Sequence, residues 1–253
     1  MKFLAALKFL TILPLSSKRA DSLEEIMGSV VYYPVVGLII GLILVGLNWL
    51  FGFLFPQPVT NGLLIVSLVI ISGALHLDGF IDTCDGIAGH KPVEARWQVM
   101  HDSRTGAFGV VGAVLLLLVK YASLNSIPPG LIWPALIMMP VVSRWMMVYA
   151  IFAYPYARPE GLGKAIKPGA TWFTFGAATL ITLIIGLGMV WIGLYVTAII
   201  IMLGVWVIIV LAATFFKKMF AGLTGDTYGA INEIAELSVL LFVILLAHNH
   251  WLV

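Results

Sequence analysis

Charge is what this 253-residue chain has least of: Asp, Glu, Lys and Arg together make up 10% of it, against 61% apolar residues. An average soluble domain carries roughly 25% charged residues, so a water-facing surface is excluded for most of the molecule. Cysteine is almost missing too. Cys84 stands alone, which rules out an internal disulfide and a thiolate metal set, and a lone thiol without a nearby base is a packing residue rather than a nucleophile. No low-complexity segment, charge run or fixed-period repeat interrupts the chain, so residues 1–253 read as one domain.

Long apolar runs are what it does have. The mean hydropathy is +1.07, and runs of about 20 apolar residues, the length a helix needs to cross a hydrocarbon core about 30 Å thick, recur near 29–54, 61–77, 107–126, 131–153, 171–190, 194–216 and 231–248. These predict an all-α, polytopic integral membrane bundle of about seven transmembrane helices. The first 15 residues, MKFLAALKFLTILPL, lack a cleavage site, and Lys8 interrupts their apolar stretch. They are read as an interfacial helix that is retained.

The few charges are not spread evenly. Twelve of the 14 Lys and Arg residues fall in the N-terminal segment or in the loops near 91–104, 158–167 and 217–218, whereas FPQPVTN (55–61) and NSIPPG (125–130) carry none. The positive-inside rule then places the N-terminus and all charged loops in the cytoplasm and the C-terminus outside. Lys120 and Arg144 fall within spans, the first near enough to an end to snorkel, the second deep enough to need a partner.

Chemistry concentrates in LHLDGFIDTCDGIAGHKPVEARWQVMHDSRTGAFGV, residues 75–110, with Asp78, Asp82, Asp85, Asp102, Arg104 and three of the five histidines. On a helix, Asp78, Asp82 and Asp85 share one face. Three carboxylates on one stripe repel unless cations neutralise them, and oxygen-only ligands suit Mg²⁺, with Mn²⁺ as a substitute. Asp102 is the candidate fourth metal ligand, and Arg104 offers a planar fork of donors to a phosphoryl oxygen. His101 reads equally as a polar residue at a helix start and as a base. His76 and His90 read as structural, because imidazole suits a hard-metal site poorly. Further on, Arg158 and Lys164 form a basic loop suited to an anionic substrate. In GLTGDTYGAINEIAE, Thr224, Asp226, Asn232 and Glu233 are polar residues that a simple anchor would not contain, and they are read as substrate-binding.

The motifs LHLDGFIDTCDG, MHDSRTGAFGV, YARPEGLG and GLTGDTYGAINE, in this order and at these distances, resemble the cobalamin synthase family, the adenosylcobinamide-GDP ribazoletransferases, over essentially the whole chain. The family more often has Lys where His101 stands, so no base is required there. The resemblance implies an Mg²⁺-dependent phosphotransferase of the cell (inner) membrane in late cobalamin biosynthesis. It would join adenosylcobinamide-GDP to alpha-ribazole, or its 5'-phosphate, with release of GMP. In that scheme Asp78, Asp82, Asp85 and Asp102 hold the metal, and Asp82, Asp85, Asp102 and Arg104 form the catalytic set. Expected partners are the two substrates, the lipid bilayer, other cobalamin-assembly enzymes and a second copy of the chain, with no nucleic acid. Two rival readings are a CDP-alcohol phosphotransferase and an ion-coupled transporter. The first requires DG-x2-AR followed by G-x3-D-x3-D, and this chain has DGIAGH and no such continuation. The second requires acids at the bilayer midplane, whereas these cluster in one cytoplasmic layer.

Overall fold

A computed structural model describes residues 2–13, 21–89, 91–188 and 195–249. The expectations for Lys18, Arg19, His90 and His250 lie outside the described residues. Among those residues there are twelve α-helices and no β-strand. They are α1 (Lys2–Leu10), α2 (Leu23–Ser29), α3 (Tyr33–Leu54), α4 (Gln57–Ile71), α5 (Leu75–Ile87), α6 (Val93–His101), α7 (Ala107–Ser126), α8 (Ile132–Ala153), α9 (Leu162–Ile166), α10 (Trp172–Leu187), α11 (Tyr195–Phe220) and α12 (Gly225–His248).

Five helical stretches are long and apolar enough to cross a membrane: α2 running into α3, then α7, α8, α11 and α12. Two bent pairs raise the number to seven, with α4 turning 89° into α5 and the segment Gly163–Gly169 turning 87° into α10. The run expected at 61–77 therefore does not continue straight. Gly73 and Ala74 both take left-handed backbone angles, and Gly73 N–H donates to Ile70 O while Ala74 N–H donates to Val69 O at 2.8 Å. That pattern is a Schellman stop, which ends a helix by satisfying its last carbonyls. It turns the aspartate-bearing α5 away from the α4 axis.

α8 is the central helix, apolar but for a few positions such as Ser143 and Arg144 and buried along nearly its whole length. α3 can lie against it because Gly37 and Gly41 offer no side chain there. A Cβ on Gly41 would come 2.8 Å from Ile137 Cα, and one on Gly37 would overlap the Pro140 carbonyl. Pro140 sits within α8 and supplies no N–H to the preceding turn. The outward faces of α3, α7 and α11 carry exposed Leu42, Trp49, Phe53, Val114, Leu118, Leu203 and Leu211. Exposed apolar surface on this scale requires lipid as its solvent. α1, with nine residues, is too short to cross and buries Ala5, Ala6, Leu7 and Leu10.

Candidate active site

At one end of the bundle the first turns of α5 and α12, the end of α6 and the chain at 156–163 enclose a cavity of about 330 Å³. Its lining includes Asp78, His101, Arg158 and Asp226, brought together from four separate stretches of sequence. The approach of α5 to α12 depends on two glycines. A Cβ on Gly79 would stand 2.7 Å from the Asp226 carbonyl oxygen, and one on Gly229 would stand 3.0 Å from that of His76. Gly79, directly after Asp78, makes room for a helix. Gly86 is likewise occupied, facing Met100 and Phe220.

Arg158 is positioned by backbone pairing. Tyr156 and Leu223 form an isolated parallel bridge, in which Ala157 N–H donates to Leu223 O and Leu223 N–H to Pro155 O, both at 2.8 Å. Gly222, at φ +145°, turns the chain into α12 where a Cβ would lie 2.9 Å from Pro155 O. Thr224 and Thr227 then cap the helix reciprocally. Thr224, expected to bind substrate, thus serves the start of α12, and Asp226 follows in the first turn, where a negative charge is favoured. Arg158 Nη2 stands 3.0 Å from Asp226 Oδ2. The Tyr156 hydroxyl, at the edge of this pair, is raised above its ordinary pKa, chiefly by burial.

The four expected metal ligands part company. Asp78 lines the cavity, and Asp82, one turn on and half-buried, stands in the field of Asp78, Asp226 and Asp85, opposed by Arg158. Asp85 is committed elsewhere: Oδ2 accepts from Gly106 N–H at 2.7 Å and Oδ1 from Gly109 N–H at 2.8 Å. It is the anionic cap of α7. Asp102 turns to Arg104, whose Nη2 donates at 2.7 Å to Oδ2 and whose Nε and backbone N–H donate to Oδ1. Those bonds hold the Asp102 carboxyl at about 2, below the usual carboxylate range. The pair is exposed and does not line the cavity, although His101 beside it does. Among the described residues no three His, Cys, Asp or Glu side chains form a group able to hold a metal ion. That differs from the expected four-carboxylate cage.

The remaining candidates are structural in their contacts. Lys164 Nζ donates to Pro159 O within its own loop. Asn232 and Glu233 lie outside the cavity, buried in a polar network. Lys120 Nζ reaches Glu233 Oε2 at 2.5 Å and Glu236 Oε2 at 2.6 Å. Glu236 Oε1 accepts from Asn232 at 3.0 Å and from Arg144. Arg144 Nη2 stands 3.4 Å from His76 Nδ1. Lys120 therefore does not snorkel; it is an interior partner. Sequence reading also missed Arg96, which donates to the carbonyls of Gly86, Ile87, Gly89 and Lys91 and so closes the C-terminus of α5. Tyr228, in the cavity wall, was missed as well, and His76, read as structural, lines the same wall. The available signal was spacing, since Tyr228 is two residues beyond Asp226 as His76 is two before Asp78.

A helical bundle with lipid-facing exterior, a charge-balanced interior and an acid-lined cavity at the end where its basic loops gather defines a polytopic membrane protein with a polar site at one membrane face. The chain belongs to the cobalamin-5-phosphate synthase family, whose model matches residues 2–244. Adenosylcobinamide-GDP ribazoletransferase from Geotalea daltonii is 35% identical over 96% of both chains. The protein of the same name from Desulforamulus reducens is 38% identical over 95% of this chain and 94% of its own. That from Roseiflexus sp. is 36% identical over 93% and 86%. No solved structure matches.

Proposed function

We propose that this protein is a membrane transferase that joins adenosylcobinamide-GDP to alpha-ribazole, or its 5'-phosphate, with release of GMP. Family membership supports the reading, and the observation that carries it is the meeting of Asp78, Arg158 and Asp226 at one cavity. The acceptor hydroxyl oxygen attacks the phosphorus next to cobinamide. The bond from that phosphorus to the bridging oxygen breaks, GMP leaves with the electron pair, and the hydroxyl proton passes to a carboxylate. Arg158, whose Nε is buried without a hydrogen-bond partner, offers a donor to a phosphoryl oxygen, oriented by Asp226. Arg104, exposed three residues beyond the cavity-lining His101, is the second candidate for the departing nucleotide.

Mg²⁺ is part of the proposal. Asp78 and Asp82 would hold it, and it would offset the diphosphate charge. The site faces the cytoplasm across the inner membrane, by the placement of the basic loops. Purified protein in nanodiscs is expected to release GMP from adenosylcobinamide-GDP only when alpha-ribazole and Mg²⁺ are present, and to stop with EDTA. Absence of GMP release from well-folded protein sinks the reading; release that persists in EDTA removes the metal from it.

A further inference from the structure

His76 is 1% exposed and Tyr228 4% exposed, yet both form part of the cavity wall. Each has a polar atom with no hydrogen-bond partner: Nε2 of His76 and the hydroxyl of Tyr228. Buried polar atoms are paired almost without exception, so orphans gathered on one cavity, these two together with Arg158 Nε and the Tyr33 hydroxyl, call for a ligand. The opposite edge of the His76 ring fixes what its orphan can do. Arg144 Nη2 lies 3.4 Å from Nδ1, and a guanidinium has only hydrogens to give. Nδ1 must therefore be the lone-pair nitrogen, which leaves the proton of the neutral imidazole on Nε2. Arg144 is held in turn by Glu236, which Lys120 also contacts. The chain Lys120, Glu236, Arg144, His76 thus ends in a neutral N–H donor at the cavity.

We propose that this cavity seats the acceptor nucleoside, with His76 Nε2–H and the Tyr228 hydroxyl bonding its polar atoms, and that adenosylcobinamide-GDP reacts from the mouth. The inference rests on the transferase reading above. Three properties of the cavity select the nucleoside. At about 330 Å³ it lies at the small end of the ligand-pocket range of roughly 300–1,000 Å³, far below what a corrinoid needs. Much of its lining is apolar or aromatic, with Phe9, Met147 and Ile151 beside the rings of Tyr33 and Tyr228, which suits a flat benzimidazole base. Its two carboxylates, Asp78 and Asp226, face a single arginine, Arg158, which pairs with Asp226, so an uncharged base and sugar sit there without added repulsion. His76 is a positioning residue here, and it takes no proton.

Steady-state kinetics with both substrates varied decide the matter. His76→Leu is expected to raise KM for alpha-ribazole at least tenfold and to change KM for adenosylcobinamide-GDP less than twofold. His76→Gln offers an amide oxygen to Arg144 and an amide N–H to the cavity, and is expected to recover most of the loss. Tyr228→Phe keeps the ring and is expected to raise the same KM severalfold, which decides the case should His76→Leu fail to fold. A rise confined to adenosylcobinamide-GDP, a loss in kcat alone, or a Gln variant no better than Leu overturns the assignment. Calorimetric titration of alpha-ribazole and of guanosine into Mg²⁺-free wild type separates this inference from the transferase reading. Binding of alpha-ribazole and not guanosine supports it whatever the turnover, and the reverse overturns it.

Discussion

At the scale of single residues, identical side chains four and seven positions apart divide by what their oxygens touch. Asp85 gives both oxygens to the first N–H groups of α7, while Asp78 is exposed at the cavity. Asp85→Ala leaves one buried and one half-buried donor unsatisfied, so it is expected to destabilise the protein by about 2 kcal/mol, visible as a lower melting temperature in detergent without any metal. Asp78→Ala is expected to melt with wild type and to lose at least a thousandfold in turnover, the scale set by about 1.4 kcal/mol per decade for a group that helps offset diphosphate charge. Normal stability for Asp85→Ala would return that residue to the metal site. Arg104 is tied only to Asp102, with its side chain 87% exposed. Surface pairs of this kind contribute little to stability, so Arg104→Lys is expected to melt as wild type does. Loss of the planar fork is expected to lower kcat more than it raises KM, and a rise in KM alone would make Arg104 a binding residue.

Among the elements, α5 and α12 matter most, because their separation fixes how far Asp78 and Asp82 lie from Asp226. Gly79 permits the approach, and its Cβ would meet backbone that cannot rotate away. Gly79→Ala is therefore expected to cost about 1–3 kcal/mol by overpacking and to reduce turnover more than its stability loss explains. Gly46, on α3 with open space around it, is the control: Gly46→Ala is expected to leave both unchanged or to stabilise slightly, by about 0.5–1 kcal/mol. Equal behaviour of the two variants, in melting and in GMP release, would remove the seam from the account. The hydrophobic runs made the helices legible in the sequence, and the positions of Asp78, Asp226 and Arg158 were legible as candidates. What could not be read was commitment. The Schellman turn at Gly73 and Ala74 redirects α5, and Asp85 faces α7 because of that turn. Thr224, Lys164, Asn232 and Glu233 find local or interior partners that spacing alone does not reveal.

For the whole molecule, charge is arranged in two layers, and each yields a test. The uncharged loops at 55–61 and 125–130 meet at one end, where Asn61 Nδ2 donates to Asn125 Oδ1 at 3.2 Å, and the cavity with its basic loops lies at the other. A reporter active only in the cytoplasm, fused after residue 253, is expected to be silent, and activity would mean an even number of crossings. Between the layers lie Lys120, Arg144, Glu233 and Glu236, all buried in the bundle. Their charges cancel, which is the condition under which ions persist inside a lipid-facing protein. Lys120→Met leaves two carboxylates facing one guanidinium, and breaking a buried pair this way costs about 3–5 kcal/mol. Adding Glu233→Gln removes the surplus charge, because Glu236 still pairs with Arg144. The double variant is therefore expected to melt well above the single one, close to wild type. Equal melting of single and double variants would mean that the four groups do not act as one neutral unit. If they do, restoring neutrality is also expected to restore the KM for alpha-ribazole, since Arg144 reaches the cavity only through His76 and holds its ring only while Glu236 holds Arg144.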